Sequence, residues 1–112
     1  MYGGQSTIGQ HDCPQQANAP AGGSTLNRTL VLEDRRPDLH AVFAGIALDG
    51  TIAASGSFSA TSDPIPLHRI QGQVSLQSTS TVLSGSATHR AIDAQFDLLC
   101  QWFEQYSLTR HP

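Results

Sequence analysis

Residues 39–61, LHAVFAGIALDGTIAASGSFSAT, constrain this chain more than any other stretch. They hold an Asp49-Gly50 dipeptide between two apolar runs. Asp-Gly suits a two-residue type I′ turn, because both turn positions need positive φ. A hairpin turning there pairs Leu48 with Thr51, Ile46 with Ala53 and Phe43 with Gly56, the Phe43 ring covering a position without a side chain. One face then carries Val42, Ala44, Ile46, Leu48 and Ala53. The other carries Phe43, Ala47, Ile52, Ala54 and Phe58. Both faces are apolar, so the sheet needs cover on two sides: barrel closure, a second layer or a neighbouring subunit.

One cover is visible in the sequence. In residues 91–106, AIDAQFDLLCQWFEQY, the side chains Ile92, Phe96, Leu99, Phe103 and Tyr106 recur at spacings of four, three, four and three. That is one face of an α-helix. Leu98 and Trp102 form a second, narrower strip. Thr88 stands where an N-cap would, Asp93 and Asp97 lie toward the positive end of the helix dipole, and Arg110 and His111 lie past its negative end. Burying the five main-stripe side chains would contribute on the order of 10 kcal/mol gross, an upper bound.

The other segments read as strands and connectors. Residues 1–24 are rich in Gly, Gln and Pro and bury too little apolar surface to offset their ordering entropy, which predicts an extended arm. Residues 26–33 read as a strand with Leu26, Leu30 and Leu32 on one face, ended by a charged turn at 34–38 containing Pro37. Residues 62–66 are a connector. Residues 67–77 alternate, with Ile70, Val74 and Leu76 opposite Arg69, Gln71, Gln73 and Ser75. Ser78-Thr79-Ser80 reads as a turn, residues 81–88 as the last strand, and residues 108–112 as a loose tail. TIAASGS and TVLSGS hint at a duplicated hairpin. The expected fold is α+β: an antiparallel sheet of four to five strands in two hairpins, one C-terminal helix packed on one face, and an extended N-terminal arm. The domain division is an arm over 1–24 and a single domain over 25–112.

Chemistry is thin. The net charge is −3 and arginine supplies all six fixed positive charges. With no basic cluster beyond Arg35-Arg36, no nucleic acid is expected as a partner. No apolar run reaches the length of a membrane span, so no membrane is expected either. The N-terminus lacks a basic start and an apolar run, and the expectation is cytoplasmic synthesis without a signal peptide, with incorporation into a larger particle as an option. Cys13 and Cys100 are then expected as free thiols, Cys100 as a small core residue. A bond between them would close nearly the whole chain. His11-Asp12-Cys13 lacks the second pair that a structural zinc site needs. His40, His68 and His89 read as solvated or edge residues. Ser55-Gly56-Ser57 and Ser84-Gly85-Ser86 lack the spacing of a nucleophile elbow and read as strand glycines among small residues. Asp93 and Asp97 read as solvated helix surface, and Arg35-Arg36 as a charged turn guarding a sheet edge. No catalytic, cofactor or metal residues are assigned.

Two apolar sheet faces and one helix leave a mismatch. The expected function is therefore a non-catalytic self-assembling or protein-interaction module, of the kind found as a small virion or tail component. Its partner would be protein, in the first place copies of itself, through Phe43, Ile52, Phe58, Leu98 and Trp102. Trp102 reads either as core or as an interface anchor. The alternatives are a small inhibitor of a larger complex, as phages and mobile elements encode, and a small ligand-binding or enzymatic barrel with His40, His68 or His89 near its pocket.

Overall fold

A computed structural model describes residues 2–62, 67–77 and 80–110. The chain folds as a closed antiparallel barrel of eight strands in sequence order: β1 (Tyr2–Ile8), β2 (Thr25–Arg35), β3 (Asp38–Phe43), β4 (Ile46–Ile52), β5 (Ser57–Thr61), β6 (His68–Gln77), β7 (Ser80–Ile92) and β8 (Leu98–Arg110). The predicted α+β fold is corrected: among the described residues the one helical element is a single 3-10 turn, Gln15–Ala17. The N-terminal segment is no free arm. β1 pairs with β2 on one side and β8 on the other, and so closes the barrel.

The predicted helix is a turn followed by β8. Of its five stripe residues only Tyr106 is buried; Phe96 is 71% and Phe103 51% exposed. The period that holds is two. Trp102, Glu104, Tyr106 and Leu108 face the interior, while Gln101, Phe103, Gln105, Ser107 and Thr109 face out. Asp93, expected at a helix N-terminus, instead caps the β7–β8 turn. Its Oδ1 accepts from the backbone N–H groups of Gln95 at 2.9 Å and Asp97 at 3.0 Å. Phe96 takes φ +64° to complete it.

The β3–β4 hairpin turns at Ala44-Gly45, not at Asp49-Gly50. Both turn residues have positive φ, +51° and +84°, and Phe43 pairs with Ile46, Ala41 with Leu48 and His40 with Asp49. Gly50 lies within β4, where a Cβ would fall 1.9 Å from the Ser59 carbonyl oxygen of β5. This early turn resets the phase of the alternation. Leu39, Ala41, Phe43, Leu48 and Ile52 all point inward and are buried. The supposed second apolar face does not exist: it came from running one strand through residues 44 and 45.

The charged turn is found, with Arg35 opposite Asp38 across a cis Arg36-Pro37 bond. β2 covers the expected strand, and β6 begins one residue later than expected, at His68. β7 runs on to Ile92, past the expected end at Thr88. The Leu76 side chain, residues 78–79 of the expected turn, and His111 lie outside the described residues. The interior is filled by Leu30, Leu39, Phe43, Leu48, Ile70, Leu83, Tyr106 and Leu108 with neighbours, as the width of an eight-stranded barrel requires.

Candidate functional site

The two ends of the barrel differ. At one end the loop after β1 folds back onto β8, held by a Cys13–Cys100 disulfide with Cα atoms 5.4 Å apart. The expected free thiols are thus corrected, and so is the ligand triplet: Cys13 is bonded and the His11 ring hydrogen-bonds the Pro20 carbonyl. Trp102, buried under this loop, stacks on His89 with ring centroids 5.4 Å apart.

Beneath Trp102 runs a buried polar chain. The inward residues of β1 at this level are Gly4 and Ser6, small enough for Arg28 of β2 to reach across to Glu104 of β8. Arg28 Nε donates to Glu104 Oε2 at 2.6 Å and Nη2 to Oε1 at 3.0 Å. Phe43 lies under the guanidinium, its centroid 5.7 Å from Cζ. His89 Nε2 stands 3.0 Å from Glu104 Oε1. Facing a carboxylate, that nitrogen carries hydrogen and donates. His89 Nδ1 lies 2.8 Å from His68 Nδ1, and one proton must lie between the two rings.

Burial alone would raise the Glu104 pKa. Hydrogen bonds from His89 and Arg28, the nearby Ser6 hydroxyl and the Arg28 charge outweigh it and hold the pKa at about 2. His68 is pushed below its ordinary value, first by burial and then by His89. It therefore stays neutral, and its Nδ1 shares the bridging proton with His89. Tyr106 is raised, by burial and then by the Glu104 charge; its hydroxyl donates to the Gln71 carbonyl at 2.9 Å. Ser6 Oγ and Trp102 Nε1 are buried without a hydrogen bond of ordinary geometry. The chain links β2, β6, β7 and β8 across the closing seam. Its chemistry is that of a tie, a fixed Arg28–Glu104 charge pair extended by two imidazole rings.

At the other end no such loop crosses the barrel among the described residues. Tyr2, Leu32, Ile52 and Val74, all inward-facing, floor a pocket of about 250 Å³ rimmed by Asp34, Arg36 and Arg110. Arg36 pairs with Asp34 at 2.9 Å and caps the Ala54 carbonyl at 3.0 Å. The rim is left with the charge of Arg110, for which no ion pair is seen among the described residues. A wider, shallow dish of about 620 Å³ lies on the outer wall over Gly72 and Gly85. On the inner side those glycines make room for the Tyr106 hydroxyl.

Of the five residues expected at an interface, Phe43, Ile52, Phe58 and Trp102 are buried inside the barrel, and Leu98 is 55% exposed beside the β7–β8 turn. Ile52 also floors the open pocket. His40 lies on the outer wall against Asp49, 2.7 Å away. The structure brings His68 and His89 together, a meeting the sequence reading missed. One signal could have found it: Glu104 sits inside the apolar alternation Trp102–Tyr106–Leu108, and a carboxylate there needs partners. Comparison with protein-family models, curated proteins and solved structures brings no match to this chain.

Proposed function

We propose that this chain is a small ligand-binding barrel, whose site is the open mouth floored by Tyr2, Leu32, Ile52 and Val74. The observation that carries this reading is an inward-facing hollow at one barrel end, with Leu32, Ile52 and Val74 on its floor and charged residues on its rim, when the opposite end is stapled shut. At about 250 Å³ it suits a ligand smaller than a drug-sized molecule. With Asp34 and Arg36 paired, Arg110 favours a short apolar body with an anionic head. Expected for hexanoate is saturable perturbation of the Tyr2, Leu32, Ile52 and Val74 resonances, weaker for hexanol and weakened by Arg110→Gln. Failure of hexanoate to perturb those four residues overturns the reading.

Self-assembly through two greasy sheet faces loses its argument, since Phe43, Ile52 and Phe58 are enclosed within one chain. Protein interaction stands as a second reading on a different observation. Phe96 and Leu98, 71% and 55% exposed, stand together at the β7–β8 turn. Light scattering that shows a defined oligomer, dispersed by Phe96→Ser, would favour it; a monomer at tens of micromolar would not.

A further inference from the structure

We propose a second site on the outer wall: a cleft between Arg69 and Arg90 that binds the dianionic phosphate of a small phosphate monoester. The cleft measures about 260 Å³ and is lined by Thr61, Leu67, Arg69, Thr88 and Arg90. Strand register builds it. Thr61 of β5, Arg69 of β6 and Thr88 of β7 form one cross-strand row, and Arg90 stands two residues beyond Thr88 on the same outer face. The Arg90 backbone N–H donates to the Leu67 carbonyl at 2.8 Å, which fixes the chain before β6 beside it. Two threonine hydroxyls and two planar guanidinium forks thus border one hollow.

The charges make this hollow unusual. Acidic residues outnumber arginines nine to six. Arg28 and Arg36 have carboxylate partners within 3 Å, and Arg35 lies 4.0 Å from Glu33. Arg69 and Arg90 have no ion pair among the described residues. Like charges at diagonal positions of a sheet repel unless something neutralises them. Two guanidinium groups match two negative charges, and their forks fit a tetrahedral oxyanion better than a point charge. Leu67 supplies an apolar wall for the organic part of the ester. Two arginines match one phosphate group rather than a run of them, so the site does not make the chain a nucleic-acid binder.

Phenyl phosphate, titrated at low ionic strength and followed by the Arg69 and Arg90 side-chain resonances, is the test. Binding is expected to be saturable and tighter than that of inorganic phosphate, phenyl sulfate or benzoate. It should weaken below about pH 6 as the dianion takes up a proton and becomes the monoanion. Arg69→Gln and Arg90→Gln should each weaken it about tenfold or more, whereas Arg110→Gln should leave it unchanged. Arg110→Gln acts at the open mouth, so the failure of that site is read separately. Equal response to phenyl phosphate and benzoate, or indifference to Arg69→Gln, overturns the proposal. Inorganic phosphate binding as tightly as phenyl phosphate would overturn the ester assignment and leave a free-ion site.

Discussion

At the scale of the single residue, Glu104 has the largest consequences. Its carboxylate is fully buried yet charged, and Arg28 across β1 keeps it so. Because its folded pKa of about 2 lies below the ordinary 4.5, ionised Glu104 contributes stability above pH 4.5. That contribution, on the order of 2 kcal/mol after solvent screening, is lost as pH falls from 4.5 toward 2. His68 acts in the same direction at higher pH. Its neutral form is favoured by folding, so stability held above pH 6.5 drains as pH falls below that value. Glu104→Gln should remove the lower acid step and keep the upper one. It should also destabilise the neutral-pH fold by about 3 kcal/mol, since Arg28 keeps a buried charge without its counterion. Urea unfolding across pH 3–8 measures both. Gly85 offers a steric counterpart. A Cβ there would stand 2.0 Å from the Gln71 carbonyl oxygen and 2.8 Å from the Tyr106 hydroxyl. Gly85→Ala should cost about 2 kcal/mol or more, because a backbone carbonyl cannot swing aside as a side chain can.

At the scale of the element, the β3–β4 turn shows what could be read in the sequence and what could not. The strands themselves were legible: 26–33, 67–77 and 81–88 lie within or close to β2, β6 and β7. Phase was not. Asp-Gly is the stronger turn dipeptide, yet a turn at Asp49-Gly50 would split Phe43 from Leu48. A turn at Ala44-Gly45 puts both inside and sets His40 against Asp49 outside. Burial of the whole inward set outweighs the local strain of Ala44 at φ +51°. β8 misled for a related reason. Glu104 interrupts its inward alternation, so the helical spacing of Phe96, Leu99 and Phe103 looked stronger than the period of two. The residue that hid the strand anchors the buried polar chain, so that chain could be sought only once the period of two was seen. The open mouth was equally hidden, because Tyr2, Leu32, Ile52 and Val74 converge only once the barrel is closed. The turn assignment yields paired outcomes. Ala44→Asn should stabilise by about 1 kcal/mol, since Asn tolerates the left-handed region that Ala resists. Gly50→Ala should destabilise strongly, with its Cβ driven into the Ser59 carbonyl. Equilibrium unfolding of the two variants distinguishes a turn at 44–45 from one at 49–50.

At the scale of the whole molecule, everything depends on how the first and last strands meet. β1 is a poor strand by itself. Its inward positions include Gly4 and Ser6, and it owes its place to pairing with β2 and β8 at once. Two devices hold that seam. The Arg28–Glu104 pair spans it from β2 to β8 beneath the small β1 residues. The Cys13–Cys100 disulfide, 87 residues apart in sequence, ties the segment after β1 to the start of β8. Closing so long a loop should contribute about 4–5 kcal/mol, mainly by restricting the unfolded chain. A Cys13→Ser, Cys100→Ser double variant should unfold at correspondingly lower denaturant. The loss should also be uneven. Released from β8, the segment after β1 frees Trp102, so amide exchange should accelerate first at Ile8 and Gly9, which bond to Ser24 and Phe103. The β6–β7 ladder, ten paired residues long, should stay protected. The open mouth lies at the far end of β1, near Tyr2, and should keep its affinity for hexanoate. Uniform loss of protection would show that the disulfide stabilises the barrel globally and that the two ends do not act independently.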